Sequence, residues 1–194
     1  MALFEEAYKK TMHDEGGYSN NPADVGGETY KGVSRRYHPD WKGWNIIDKH
    51  KADTSSDSLF FRALSDDDTL ELLVRAFYKK KFWNRFLGSL IPNQQIAEEL
   101  FDNAVNLGVH RSVLFLQEAL NLLNRNQRNY KDILEDGIIG SETLNTLKTY
   151  LSIDKPKYLL KIMNILQGMH YISYMKKSPT QEIFARGWLE RVCI

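Results

Sequence analysis

Glu15, Asp24 and Thr29 are the residues of this chain whose types and spacing could do chemistry, and the chemistry they suit is cleavage of a glycosidic bond. That reaction needs a protonated acid at the leaving oxygen. It also needs something to stabilise or trap the positive charge on the sugar, either a second carboxylate or the substrate itself. Glu15 stands in the run Glu15-Gly16-Gly17-Tyr18, where a short amphipathic segment gives way to a polar, turn-rich one. A carboxylate in the last turn of a helix lies near the negative end of the macrodipole, which disfavours proton loss. The two glycines let the backbone leave the helix sharply and let a bulky ligand approach, an exposed helix residue before a glycine C-cap being the other reading of Glu15. Asp24 follows nine residues later and Thr29 five residues after that. Gly16, Gly17 and Pro22 bend the chain between, so both carboxylates can face one cleft. Asn-Pro-x-Asp and Gly-Gly-x-Thr are also what an ordinary loop contains, and Asp24 reads equally as a turn cap.

Candidate substrate-binding residues accompany these. Tyr18 and Tyr30 could stack on sugar faces or hydrogen-bond them, packing of a β lobe being the alternative; Trp41 and Trp44 are comparable. Asn103 and Asn106 are polar residues on an otherwise apolar helical stripe, and their amides suit N-acetyl and hydroxyl groups, with a plain helix surface beside Gly108 as the other reading. The five histidines are scattered, none at ligand spacing with another or with Cys193, so no metal and no cofactor is expected. No glycine-rich strand-to-helix phosphate loop and no Gly-x-Ser-x-Gly elbow occurs, which sets aside nucleotide and serine-nucleophile chemistry.

The elements that must position these groups are mostly helices. Leu3, Phe4, Ala7, Tyr8 and Met12 predict a first helix over 2–15 with Glu15 in its last turn. The stretch from Tyr18 to Ser34 is turn chemistry followed by a β-prone run, which predicts a small hairpin or irregular β lobe. Residues 35–61 are aromatic, charged and irregular, and the Thr54-Ser55-Ser56-Asp57 run suggests an exposed loop. Ser65 is the expected N-cap of a helix running to about Phe82. Further helices follow before and after Gly108, a polar linker covers 124–132, and Asp136-Gly137 makes a turn into the next helix, with two more at about 155–175 and 181–192. The class is α+β, predominantly α, with a cleft beside the β lobe as the natural ligand site.

At 194 residues, with 26 Lys and Arg against 25 Asp and Glu, the chain is near neutral. The Lys79-Lys80-Lys81 and Lys176-Lys177 runs read as solvated helix faces, so a nucleic-acid partner is not expected. The lone Cys193 allows no intrachain disulfide. No apolar run approaches membrane-helix length, and the N-terminus carries Glu5 and Glu6 where an export signal wants basic residues. The expectation is a protein made in the cytoplasm.

The runs Glu15-Gly16-Gly17-Tyr18-Ser19-Asn20, Asp24-x-Gly26-Gly27-Glu28-Thr29 and Tyr30-x-Gly32-Val33-Ser34 resemble the catalytic part of glycoside hydrolase family 108, the N-acetylmuramidase endolysins. Phe101-Asp102-Asn103-Ala104-Val105-Asn106-x-Gly108, Leu116-Gln117, Asp136-Gly137-Ile138-Ile139-Gly140 and Phe184-x-Arg186-Gly187-Trp188-x-x-Arg191-Val192 are similar to the peptidoglycan-binding region that accompanies it. The resemblance implies a lysozyme-like fold, with a catalytic region over 1–92 and a helical wall-binding region over 93–194 packed as one globular unit. It implies hydrolysis of the β-1,4 bond between N-acetylmuramic acid and N-acetylglucosamine in bacterial peptidoglycan, with Glu15 as the acid; the missing export signal then fits release to the cell wall through a pore or secretion system. The Glu-Asp-Thr order is similar to that of phage-type lysozymes, although four residues separate Asp24 from Thr29 where that pattern has five. Val25 and Ser141 stand where the family has Pro, and the insertion around 40–60 lies outside its pattern. A lytic transglycosylase and a non-catalytic wall-binding or secretion-accessory protein are the alternative functions.

Overall fold

A computed structural model describes residues 1–12, 17–21 and 27–192. The chain divides into two compact units, Tyr8–Lys81, and Met1–Ala7 with Phe82–Ile194. Helix α1 is Phe4–Thr11, with Glu5 and Glu6 in its first turn and Lys9 and Lys10 in its last, both of which complement the macrodipole. The helix expected over 2–15 is thus described from Phe4 to Thr11; Glu15 lies outside the described residues.

In the unit Tyr8–Lys81, three two-residue strands form an antiparallel sheet in the order β1 (Tyr18–Ser19), β2 (Thr29–Tyr30), β3 (Val33–Ser34). Between β2 and β3 both central residues have positive φ, 42° at Lys31 and 76° at Gly32. This is the type I′ geometry whose twist matches a two-residue hairpin, and glycine adopts it without strain.

The exposed loop expected over 35–61 is instead largely two helices, α2 (Gly43–Asp53) and α3 (Asp57–Ser65). Their cores are Trp44 with Ile47 and Phe60 with Leu64, all buried. Each helix therefore carries only a narrow apolar stripe at three- or four-residue spacing, which the surrounding polar residues conceal in sequence. The Thr54-Ser55-Ser56 run is the corner between them. There the Ser56 side chain accepts from the Leu59 amide and caps α3.

Helix α4 is Asp68–Lys81. Its cap is Asp67, whose Oδ1 accepts from the Leu70 amide at 2.8 Å. Ser65, the expected cap, ends α3 and donates its hydroxyl to the Phe61 carbonyl at 2.9 Å. A stronger acceptor two residues nearer the helix displaces it.

In the second unit, two 3₁₀ segments, Trp83–Phe86 and Gly88–Leu90, precede α5 (Gln94–Leu107), α6 (Val109–Leu123), α7 (Ser141–Ile153), α8 (Pro156–Lys177) and α9 (Ala185–Glu190). Trp83 is fully buried and meets Phe4, Phe86 and Phe101 edge-on at centroid distances of 5.7, 5.4 and 6.1 Å, the arrangement that aromatic quadrupoles favour. Helices α5 and α6 pack together, with the Ser112 hydroxyl donating to the Leu100 carbonyl at 2.7 Å. Trp188 of α9 stacks on Tyr171 of α8 at 5.2 Å, and Arg191 pairs with Asp102 at 2.9 Å. Among the described residues no helix is long and apolar enough to cross a membrane.

Candidate active site

Of the catalytic candidates, Glu15 and Asp24 lie outside the described residues, and Thr29 is in β2. The register opposes Tyr18 to Tyr30 and Ser19 to Thr29 across β1 and β2, and Tyr30 to Val33 and Thr29 to Ser34 across β2 and β3. Directly opposed residues share a face and successive residues alternate. Tyr18, Tyr30 and the buried Val33 therefore occupy one face, while Thr29 shares the other with Ser19 and Ser34. The sheet brings the two tyrosines together and separates them from Thr29.

The two tyrosines differ in what they can touch. Tyr30 is 2% exposed, and its hydroxyl donates to the Leu64 carbonyl at 3.0 Å. Burial, followed by the carboxylates Glu71 and Asp67, pushes its phenol up to about 12. In this position it packs the lobe. Tyr18 is half-buried and its hydroxyl donates to Glu28 Oε1 at 2.9 Å. The Phe60 ring meets it edge-on at 5.0 Å, and the Lys51 ammonium lies 5.0 Å from its centroid.

Glu28 is the hub that sequence reasoning passed over. Besides Tyr18 it receives Arg35 at 2.9 Å on Oε2 and Lys51 on Oε1. Arg35 in turn grips Asp48 of α2 with both terminal nitrogens, a fork-to-carboxylate geometry. Burial pushes the Glu28 carboxyl up, but the hydrogen bonds from Lys51, Arg35 and Tyr18 together outweigh it and hold it below its ordinary value. A carboxylate within the Gly-Gly-Glu-Thr run was visible in sequence. Its partners on other elements, 7 and 23 residues away, were not.

Glu71 of α4 plays a matching part at the hairpin tip. Lys31 donates to it at 2.7 Å, Arg75 at 3.0 Å and the Tyr8 hydroxyl at 3.2 Å, while the Tyr78 hydroxyl donates to the Lys31 carbonyl at 2.9 Å. Burial raises the Glu71 carboxyl and the Lys31 and Arg75 cations more than reverse this, so its value is lowered. Glu28 and Glu71 are thus held ionised, which unsuits both to donate a proton near neutral pH.

In the second unit, Asn103 of α5 is fully buried, and its amide nitrogen donates to the Glu99 carbonyl and Oε1 at 3.1 and 2.8 Å. Its Oδ1 is buried without a hydrogen-bond partner among the described residues. Asn106 is exposed and its amide donates to the Asp102 carbonyl at 2.8 Å. The Leu116-Gln117 and Asp136-Gly137 motifs meet each other. Gln117, 1% exposed, donates to Asp136 Oδ1 at 2.9 Å and to the Ile138 carbonyl at 3.1 Å, and accepts from the Gly137 amide at 2.8 Å. Asn121, one turn on, donates to the Ile133 carbonyl and accepts from its amide, both at 2.9 Å. One face of α6 thereby clamps the segment that leads into α7. Among the described residues no cluster of His, Cys, Asp or Glu could hold a metal ion.

No curated protein sequence matches the chain. Among solved structures it is similar to that described as "Structure of Brucella abortus SagA", with a TM-score of 0.61 and 22% identity over 97% of this chain and 88% of that one. At that identity the likeness concerns the fold: a small antiparallel β element behind the first helix, then a succession of helices. The family model described as Predicted Peptidoglycan domain matches residues 111–193, and that described as Glycosyl hydrolase 108 matches residues 8–108. The hydrolase match runs beyond Lys81 through α5, a helix that packs on α6 and α8; similarity follows the chain whereas compactness follows contacts. With just over half its length under the hydrolase model and most of the remainder under the peptidoglycan one, the chain belongs to the glycosyl hydrolase 108 family, which supports a glycoside hydrolase acting on peptidoglycan.

Proposed function

We propose that the protein is an N-acetylmuramidase that hydrolyses the β-1,4 bond between N-acetylmuramic acid and N-acetylglucosamine in bacterial peptidoglycan. Glu15 gives its proton to the leaving oxygen of N-acetylglucosamine, and water adds to the anomeric carbon of N-acetylmuramic acid. Asp24 or the substrate's own acetamido group assists at that carbon, with Thr29 alongside. Catalysis belongs to residues 1–92 and wall binding to residues 93–194.

The observation that carries this reading is the glycosyl hydrolase match over residues 8–108, which takes in the Glu15-Gly16-Gly17-Tyr18 run. Elimination among the described glutamates of the unit Tyr8–Lys81 supports Glu15 as the acid. Glu28 and Glu71, the glutamates of the β lobe and of α4, are both kept ionised by cations. A carboxyl separation of about 5–5.5 Å between Glu15 and Asp24 would make Asp24 a nucleophile, and about 6.5–9.5 Å would leave room for an attacking water.

The test is reducing-end release from purified peptidoglycan by the wild type beside Glu15→Gln, with products identified by mass. Release of N-acetylmuramic acid reducing ends by the wild type, falling by at least about a hundredfold in the variant, is expected. Full activity in Glu15→Gln removes the acid assignment. Products ending in 1,6-anhydro sugars make the enzyme a transglycosylase, and wall binding without release makes it a binding protein.

A further inference from the structure

We infer that the corner between α2 and α3 is a sugar subsite, taking a pyranose ring with an acetamido substituent. The inference rests on the muramidase reading and deepens it by naming a place where a sugar of the glycan would sit.

A cleft of about 520 Å³ opens at this corner, lined by Tyr18 and Asn20 on the β1 side and by Thr54–Asp57, Lys51, Phe60 and Phe61 on the other. That volume is in the range of small-molecule sites, about 300–1,000 Å³. Its walls are of two kinds. Phe60, 7% exposed, and Phe61, 47% exposed, present an aromatic floor and lip. The Ser55 and Ser56 hydroxyls, the Asn20 amide, the Lys51 ammonium and the Asp57 carboxylate form a polar rim. A pyranose ring has the matching pair of surfaces, an apolar C–H face for an aromatic ring and an equatorial belt of hydroxyls for donors and acceptors. One cation and one anion in the rim suit a neutral ligand better than a phosphate or a polyanion. An acetamido group adds a carbonyl for Lys51 or a serine hydroxyl and an N–H for Asp57.

The site is preformed. Glu28 holds both Tyr18 and Lys51, Lys51 lies against the Tyr18 ring, and Tyr18 abuts Phe60. The Ser56 carbonyl accepts from the Phe60 amide at 3.0 Å while its side chain caps α3. Binding here orders little, which removes part of the usual entropic cost. Tyr18 also stands three residues after Glu15, and three residues of chain reach at most about 11 Å. A glycan presented to Glu15 therefore has neighbouring sugars within range of this corner.

The experiment is amide chemical-shift mapping on the full chain carrying Glu15→Gln, titrated with the β-1,4-linked N-acetylglucosamine tetrasaccharide and with cellotetraose. Saturable shifts at residues 54–61 with the first sugar and none with the second are expected. Phe61→Ala should weaken the affinity at these amides at least tenfold, and Phe61→Tyr should restore it, with the unfolding midpoint of each variant showing that the fold is kept. Absence of shifts at 54–61, equal shifts from both sugars, or undiminished affinity in Phe61→Ala overturns the inference. Because binding is read without turnover, reducing-end release by the wild type with no shifts at 54–61 fails the subsite alone. Shifts without release fail the muramidase reading alone.

Discussion

The Tyr18 hydroxyl donates to the Glu28 carboxylate at 2.9 Å, and this one bond joins β1 to a carboxylate that Arg35 and Lys51 also grip. The strand next to the Glu15 motif is thereby tied to the segment leading into α2 and to α2 itself.

Glu28→Gln leaves Arg35 and Lys51 without their shared anion. Removing a hydrogen-bonded charged partner from a half-buried site should lower stability by about 1–3 kcal/mol, and Tyr18→Phe, which deletes one neutral donor, by about 1 kcal/mol. Urea unfolding of both variants checks the order; an unchanged midpoint in Glu28→Gln would show that the network holds nothing.

The same residues predict an acid limb. Glu28 and Glu71 have folded-state values below their ordinary 4.5, so around and below that pH the unfolded chain binds more protons than the folded one. Their contribution to stability is complete above the unfolded value and is lost as pH falls through the folded values. Thermal unfolding measured from pH 6 down to pH 3 should show a falling midpoint, with a shallower fall in Glu28→Gln. An identical slope in the two proteins would contradict the assignment.

Gln117→Leu should cost about 2–4 kcal/mol, because a side chain of similar size leaves the Gly137 amide and the Ile138 carbonyl without their partner. Hydrogen exchange at Gly137 should accelerate with it. Gly137→Ala should act on the same turn through the backbone, since φ there is +65° and an added Cβ would lie 2.6 Å from the His110 ring. Unaltered exchange at Gly137 in Gln117→Leu would mean that the turn holds itself.

Gly88→Ala tests the aromatic core of the second unit. An added Cβ would lie 2.4 Å from the Trp83 ring, and Trp83 is fully buried against Phe4, Phe86 and Phe101. Overpacking of this kind should destabilise by about 1–3 kcal/mol. Calorimetry on the full chain measures it, and a neutral substitution would mean that the ring shifts freely.

Much of the helical framework was legible because it is written in local terms. The stripes of α4, α5 and α6 repeat at helical spacing and Gly108 separates α5 from α6, whereas the β-prone run Thr29–Ser34 is broken by a turn at Lys31-Gly32. Family membership was legible for a related reason, since it resides in short runs of contiguous residues such as Glu15-Gly16-Gly17-Tyr18 and Asp136-Gly137. The α2–α3 pair was not legible. Each of its helices buries just two large side chains, Trp44 with Ile47 and Phe60 with Leu64, and a stripe that narrow is indistinguishable in sequence from an irregular aromatic loop.

By itself, then, the sequence determined the class of the fold, the family and the candidate acid, because periodicity, capping and contiguous motifs are local. The tertiary structure alone decided which carboxylates are held ionised, which faces the tyrosines and Thr29 occupy, and that a polar run becomes the corner of a cleft. Those outcomes depend on pairs far apart along the chain. Lys51 reaches Glu28 across 23 residues and Lys31 reaches Glu71 across 40. Side-chain type does not announce its distant partner; only the packing of the elements that carry the two groups brings them within hydrogen-bond range.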